Sequence, residues 1–322
     1  MELNLKTSSE KCEEEKETRR KRSKNIYSFG VRYLDVALGG IFKNDLIIIG
    51  APPGTGKTEL VTHIASQSAQ DGCRVVLFAL EAENCEIESR IKFKIAKNLY
   101  YDDNSLSKKK MSNISYRRWY MNLLPFDFEK YEEKAEIIFK EKLKNLTTFY
   151  REENFNVNDF QKILLAVKEN FDLVIIDHLN YFDTEGKNEN REVSDIVKKI
   201  RDLALLTGLP IILVAHLKKP DKRFRSIVPE LDDFHGTSDI GKVATKAIII
   251  APDYSVLNPM KLGTFFRIAK FRVDGSPTRY IARCDFNIET NSYEHHFDLG
   301  HLSEDGKEFK PIDVEKIPLW AK

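Results

Sequence analysis

The stretch Leu46-Ile47-Ile48-Ile49-Gly50-Ala51-Pro52-Pro53-Gly54-Thr55-Gly56-Lys57-Thr58 decides the fold. It opens with a run of branched apolar residues at 46–49, long enough for a buried strand and too short for a helix. A loop with two glycines follows, and a helical pattern starts at 59–66. Strand, glycine loop and helix in that order cradle phosphate, because glycines let backbone N–H groups turn inward around anionic oxygens. Gly54, Gly56, Lys57 and Thr58 stand where the phosphate-loop pattern requires them, whereas Ala51 occupies a position where glycine is usual. Ala51, Pro52, Pro53, Gly54, Thr55, Gly56, Lys57 and Thr58 are therefore the expected nucleotide-binding segment. Lys57 offers a point charge to the β- and γ-phosphates of ATP, and the Thr58 hydroxyl suits Mg²⁺. The competing reading, a glycine-rich turn with an incidental lysine, does not explain the flanking strand and helix.

Outward from this segment, short Val- and Ile-rich runs recur at 75–80, 173–176, 211–215 and 247–250, most of them separated by helical patterns. Buried parallel strands with crossover helices give that rhythm. Residues 264–271, 279–286 and 292–297 read as closing strands, with a turn at Asp274-Gly275-Ser276-Pro277. Residues 87–165 read as mainly helical, broken by a polar loop near 102–104 and by Pro125. The expectation is one α/β domain over 26–322 with a mainly parallel central sheet flanked by helices. Residues 1–25 are expected to form a charged tail: Glu15 and Glu17 precede Arg19 and Lys21 at favourable helical spacing, and no apolar stripe accompanies them. A solvated helix or a disordered arm fits the tail best; an arm touching nucleic acid or a neighbouring subunit is the alternative.

Two acids end strands. Asp177 closes Leu173-Val174-Ile175-Ile176, which puts a carboxylate at the strand edge where open α/β sheets bind ligands, and it would hold Mg²⁺ through water. Glu81 closes the 75–80 run and reads either as a general base polarising a water or as a solvent-facing glutamate at a helix start.

The bulk of the chain excludes several classes. No apolar run approaches the ~18 residues a membrane span needs. The N-terminus has charges of both signs and no apolar h-region, unlike a targeting peptide. Cys12, Cys73, Cys85 and Cys284 are scattered, which argues against a zinc ribbon or a disulfide framework and fits a reducing cytoplasm. A net charge of +1 means that any nucleic-acid site must be a local patch.

The order of these elements resembles the RecA-like motor domain of DnaB-family replicative ring helicases, and in detail the phage helicase-primase and mitochondrial Twinkle branch. The likeness runs from Ser28 to about Tyr293 and includes Gly30-Val31-Arg32-Tyr33-Leu34-Asp35, Leu38-Gly39-Gly40 and the phosphate loop. A loop opening with Ala is common in that family. Phe78-Ala79-Leu80-Glu81 is similar to the strand carrying the family's catalytic glutamate, which favours the base reading of Glu81. Ile175-Ile176-Asp177-His178 resembles the Walker B strand. Ala215-His216-Leu217-Lys218-Lys219-Pro220-Asp221-Lys222 resembles the sensor strand, so that His216 would contact the γ-phosphate. Ile268-Ala269-Lys270-Phe271-Arg272 resembles the Lys-x-Arg element that reaches a neighbour's ATP, although alternating surface cations on an edge strand would look the same. Phe286 stands where the family places an aromatic against the base; an exposed or core phenylalanine is the alternative.

Lys218, Lys219, Lys222, Arg223 and Arg225 put cations in the loop after the sensor strand, with Phe224 among them, and would give salt-dependent binding to single-stranded DNA. His235, Gly236 and Thr237 begin a segment resembling the family's pore loop, with His235 where Arg is usual. The resemblance implies a homo-oligomeric ring, a hexamer, with ATP hydrolysed between subunits, and a loader or primase as partner. It covers the motor alone, and the expectation is a chain without a primase or N-terminal domain. A RecA/RadA/KaiC-like ATPase of recombination or regulation shares the opening segment, and a weakly hydrolysing scaffold is a third reading. Glu81, Asp177 and Lys57 occurring together argue against the last.

Overall fold

The computed structural model describes residues 6–322 apart from 25, 105–113, 185, 187–188, 219–225, 235–238, 256–257 and 259. The chain begins with helix α1 (Ser8–Lys24) and helix α2 (Arg32–Leu38). Alternating strands and helices follow: β1 (Leu46–Ala51), α3 (Lys57–Gln70), β2 (Val75–Ala79) and α4 (Glu86–Asn104). Next come α5 (Tyr116–Tyr120), α6 (Glu129–Lys142), β3 (Leu146–Tyr150), α7 (Val157–Val167), β4 (Leu173–Asp177), α8 (Glu189–Thr207) and β5 (Ile211–His216). The C-terminal third holds α9 (Asp239–Val243), β6 (Lys246–Asp253), β7 (Lys261–Phe271), β8 (Ile281–Asn287), β9 (Ser292–Leu302) and β10 (Phe309–Pro311).

All described strands join one sheet in the order β10-β9-β8-β7-β6-β1-β5-β4-β2-β3. The half from β6 to β3 is parallel, and the half from β7 to β10 is antiparallel. Alternation along each parallel strand sends successive side chains to opposite faces. Ile47, Ile49, Leu77, Ile175 and Val214 pack with α3 and α4 on one face, and Ile48, Phe78, Val174, Ile176 and Leu213 pack with α7 and α8 on the other. Burial on both faces is why these strands read as continuous apolar runs rather than as alternating ones. Each such side chain contributes about 1.5–3 kcal/mol of transfer free energy.

Several expectations are corrected here. The 87–165 region is mainly helical as expected, but it also holds β3, which pairs in parallel with β2 and was not anticipated. Its Leu146-Thr147-Thr148-Phe149-Tyr150 is only half-buried at the sheet edge and lacks the apolar run that marks the central strands. The polar loop expected near 102–104 does not begin before Asn104, where α4 ends, and residues 105–113 lie outside the described residues. Tyr100 is buried there against Phe128 and Tyr131, in a satellite cluster formed with Phe93 and Ala135. Tertiary packing overrides the polar Asp102-Asp103-Asn104 sequence. Strand β10, three residues paired with β9, was also outside the expectation. The turn at 274–277 is present, with Asp274 Oδ1 accepting from the Ser276 N–H at 2.8 Å. Helix α1 is exposed along its described side chains and holds a Glu15–Arg19 pair at 3.6 Å, as a solvated helix should.

Gly50, inside β1, has a packing reason. A Cβ there would lie 2.5 Å from the Phe234 ring and 2.8 Å from Leu217. Leu217 and Phe234 form a bridge that closes the base of the segment between them against β1.

Candidate active site

Four neighbouring strands deliver the expected site residues to one edge. In the sheet order β1-β5-β4-β2, the C-terminal ends carry Ala51, His216, Asp177 and then Leu80-Glu81. Parallel pairing makes this possible, and the register sets Ala51 opposite His216 and Ala79 opposite Asp177.

The phosphate loop spans the turn from β1 into α3. Gly54 (φ 74°) and Gly56 (φ 82°) both take the left-handed conformation. A Cβ at Gly54 would meet nothing within 4 Å, so backbone conformation rather than space requires glycine there. Lys57 is buried at the first position of α3, and its ammonium donates to the carbonyls of Ala51 and Pro52, both at 3.2 Å. Burial lowers its pKa, while the charges of Glu81 and Asp177 oppose that shift. The ammonium is thus held over its own loop, bonded to carbonyls that a phosphate oxygen can replace.

Asp177 is only 2 % exposed. Desolvation pushes its carboxyl up from the ordinary 3.8 to about 6; a hydrogen bond from Thr58 works against this, and Glu81 adds to it. Its Oδ1 has no hydrogen-bond partner among the described residues. A buried carboxylate oxygen without a partner, next to a threonine hydroxyl, is a hard oxygen donor pair that fits Mg²⁺. Thr58 and Asp177 would hold that ion.

Glu81 is exposed at the site and tied to the same strand end, since its N–H donates to the Asp177 carbonyl at 3.3 Å. Tyr181, in the helical turn just after β4, lies close enough to Glu81 for the two groups to interact electrostatically. Burial first, and then Glu81, raises the Tyr181 pKa, so the phenol stays protonated beside the carboxylate. Arg151 at the end of β3 donates to the Tyr181 carbonyl at 2.6 Å and pairs with Asp183 at 3.4 Å, fixing that turn. Nothing in the sequence pattern marks Tyr181, because its partner lies on another strand.

His216 meets a second histidine. The His178 and His216 rings lie 3.7 Å apart at 49°. His178 is fully buried, and burial, then His216 and Lys57, depress its pKa to about 3. Its Nδ1 accepts from the Asn180 N–H at 3.2 Å, so the neutral ring carries its proton on Nε2. The sensor strand and the Asp177 strand therefore touch through an uncharged imidazole.

Lys270 and Arg272 are elsewhere. β7 runs antiparallel to β6, and Lys270 pairs with Ala247 at the start of β6. These cations thus lie at the N-terminal edge of the parallel strands, opposite the phosphate loop. Between the two edges runs the six-residue β1, roughly 20 Å at ~3.3 Å per residue. No arginine side chain spans that. A register shift between Ala247 and Ile248 leaves Ala269 unpaired just before Lys270, which re-aims the end of the strand. The Lys270 ammonium donates to the carbonyls of Gly241 (2.6 Å) and Lys242 (2.8 Å).

Phe286 is half-buried on β8, at the phosphate-loop edge, and packs edge-to-face on Tyr293 with centroids 5.1 Å apart. Tyr293 in turn meets His63 of α3 at 6.5 Å. Lys218 is exposed two residues after the end of β5, its N–H bonded to the Asp233 carbonyl at 2.6 Å. Lys219, Lys222, Arg223, Arg225, His235, Gly236 and Thr237 lie outside the described residues. No helix among the described residues is long and apolar enough to cross a membrane.

Fold and loop together define a RecA-like P-loop protein. The DnaB-like helicase C-terminal domain family matches residues 27–278, most of the chain, and the chain belongs to that family. A probable plasmid replicative DNA helicase of Chlamydia trachomatis is 25% identical over 227 residues, covering 69% of this chain and 47% of the relative. The chain therefore spans about half of that relative's length. A solved DnaB-like replicative helicase, described with its interactions with primase, superimposes with a TM-score of 0.68 at 17% identity, over 90% of this chain and 67% of that one. The clock oscillator protein KaiC of Parathermosynechococcus lividus is 38% identical over 68 residues, 20% of this chain and 13% of its own.

Proposed function

We propose that this chain is the motor of an ATP-dependent DNA helicase or translocase that acts on single-stranded DNA as a ring of identical copies, a hexamer by family resemblance. The observation that carries this is the split of the catalytic groups between two opposite sheet edges. Lys57, Thr58, Asp177, Glu81 and His216 share one edge, while Lys270 and Arg272 occupy the other. A head-to-tail arrangement brings the second edge of one copy to the first edge of the next, and repeating it with closure gives a ring.

In this reading Lys57 and the loop N–H groups hold the phosphates of ATP, with Phe286 against the base. Mg²⁺, bound by Thr58 and Asp177, would supply positive charge across the β- and γ-phosphates. Glu81, steadied by Tyr181, orients and deprotonates the attacking water. Lys270 and Arg272 of the adjacent copy stabilise charge on the transferring phosphoryl group, an effect worth ~10³–10⁵ in rate. His216 meets the γ-phosphate, and Lys218 follows it by two residues, so loss of phosphate reaches the loop bearing Lys219, Lys222, Arg223 and Arg225 directly. That loop and the segment starting at His235, Gly236 and Thr237 grip the strand. A loader or a primase is the expected protein partner, and the cytoplasm the expected location.

Strand displacement on forked DNA, with ATP turnover measured with and without single strands, tests the proposal. DNA-stimulated turnover together with unwinding is expected. A second reading, a KaiC-like ATPase of recombination or regulation, draws on the 68-residue similarity to KaiC. Turnover that DNA does not stimulate, with no displacement, would select it.

A further inference from the structure

At the N-terminal sheet edge a third cation joins the two already described. Arg201, on α8, donates from its guanidinium to the Asn44 carbonyl just before β1. Short links connect that point to Arg272: the Leu46 N–H donates to the Thr245 hydroxyl at 3.1 Å, and the Arg272 N–H to the Thr245 carbonyl at 2.9 Å. Lys270 lies near the end of β7, two residues before Arg272, and its ammonium is held by the α9 carbonyls. The cations feel one another. Burial and then Arg272 lower the Arg201 pKa, with Asp45 and Asp202 opposing, and burial, Arg272 and Arg201 lower that of Lys270.

No carboxylate among the described residues forms an ion pair with Arg201, Lys270 or Arg272. The nearby Asp45 is committed to Lys246 at 2.6 Å. A guanidinium carries five donors, and the Asn44 carbonyl is the one hydrogen-bond partner Arg201 has among the described residues. Converging like charges with spare donors fit an anion arriving from outside the copy. One turn further along α8, Leu205 is exposed, as is Leu206 after it.

We propose that Arg201, with Lys270 and Arg272, forms a three-cation site that binds the terminal phosphate of the ATP held by a second copy of this chain. This rests on the head-to-tail reading above, and the experiment separates the two. Arg201→Gln should reduce ATP turnover by on the order of 10²-fold, while a fluorescent ATP analogue is still held by the intact P-loop. Mixed in equal amounts with Lys57→Ala, which has intact cations and a disabled P-loop, it should regain turnover well above the sum of the two alone. The same mixing with Arg272→Ala is the companion measurement. Arg201→Lys, which keeps a donor for the Asn44 carbonyl, serves if the Gln variant does not fold, and mixing should restore it in the same way. Full turnover by the Arg201 variant overturns the proposal. So does a loss that mixing does not repair while Arg272→Ala is repaired. If neither pair regains turnover, the head-to-tail site itself is wrong, and the Arg201 site falls with it.

Discussion

Asp177→Asn turns the electrostatics of the site into a stability measurement. The buried carboxyl has its pKa raised from 3.8 to about 6, chiefly by desolvation. A raised carboxylate pKa means that the native state holds its proton more tightly than the unfolded chain. The contribution to stability is therefore fully present below pH 3.8 and is lost as pH rises through about 6. At ~1.4 kcal/mol per pH unit, ionised Asp177 costs the nucleotide-free fold about 3 kcal/mol at neutral pH. Asparagine keeps the shape and an acceptor for the Thr58 hydroxyl without the charge. Urea unfolding of nucleotide-free protein at pH 7.5 should show Asp177→Asn more stable by up to about 3 kcal/mol, falling to about 1.5 kcal/mol at pH 5. Mg²⁺-dependent turnover should be lost in the same variant. A variant no more stable than the parent at pH 7.5, or one whose advantage grows as pH falls, would refute the argument that an unpaired buried charge is retained there for the metal.

Other perturbations probe other levels. Lys246 is buried and ion-paired with Asp45 while donating to the Gly40 carbonyl, so Lys246→Ala should cost about 3–5 kcal/mol in urea unfolding by stranding the Asp45 charge. Tyr181→Phe should slow turnover several-fold with little change in nucleotide affinity, and Glu81→Gln should leave nothing for Tyr181→Phe to slow; additive losses would place Tyr181 outside that pair. Charge reversal at Lys218, Lys219 and Lys222 should weaken single-strand binding and flatten its salt slope, measured by fluorescence anisotropy across a salt series; an unchanged slope removes that loop from the contact.

The sequence by itself determined what is local. The strand, glycine loop and helix around Lys57 were legible because phosphate binding uses consecutive residues, and the central strands were legible because burial on both faces makes them uniformly apolar. Asp177, Glu81 and His216 could be aligned on one edge because each ends a strand and parallel strands end together. Edge elements were not legible: β3 is half-exposed and carries Thr147 and Thr148, and β10 is three residues long, so neither bears an apolar signature. Tertiary structure alone decided what depends on partners distant in the chain. It set Tyr181 beside Glu81 and His178 against His216, and it carried α4 through to Asn104 by burying Tyr100. It also set Lys270 and Arg272 an entire strand's length from their own P-loop and brought Arg201 to them. The reason is one of direction. Spacing along a chain fixes which residues share a strand face, but the antiparallel pairing of β7 with β6 fixes which edge of the sheet they reach.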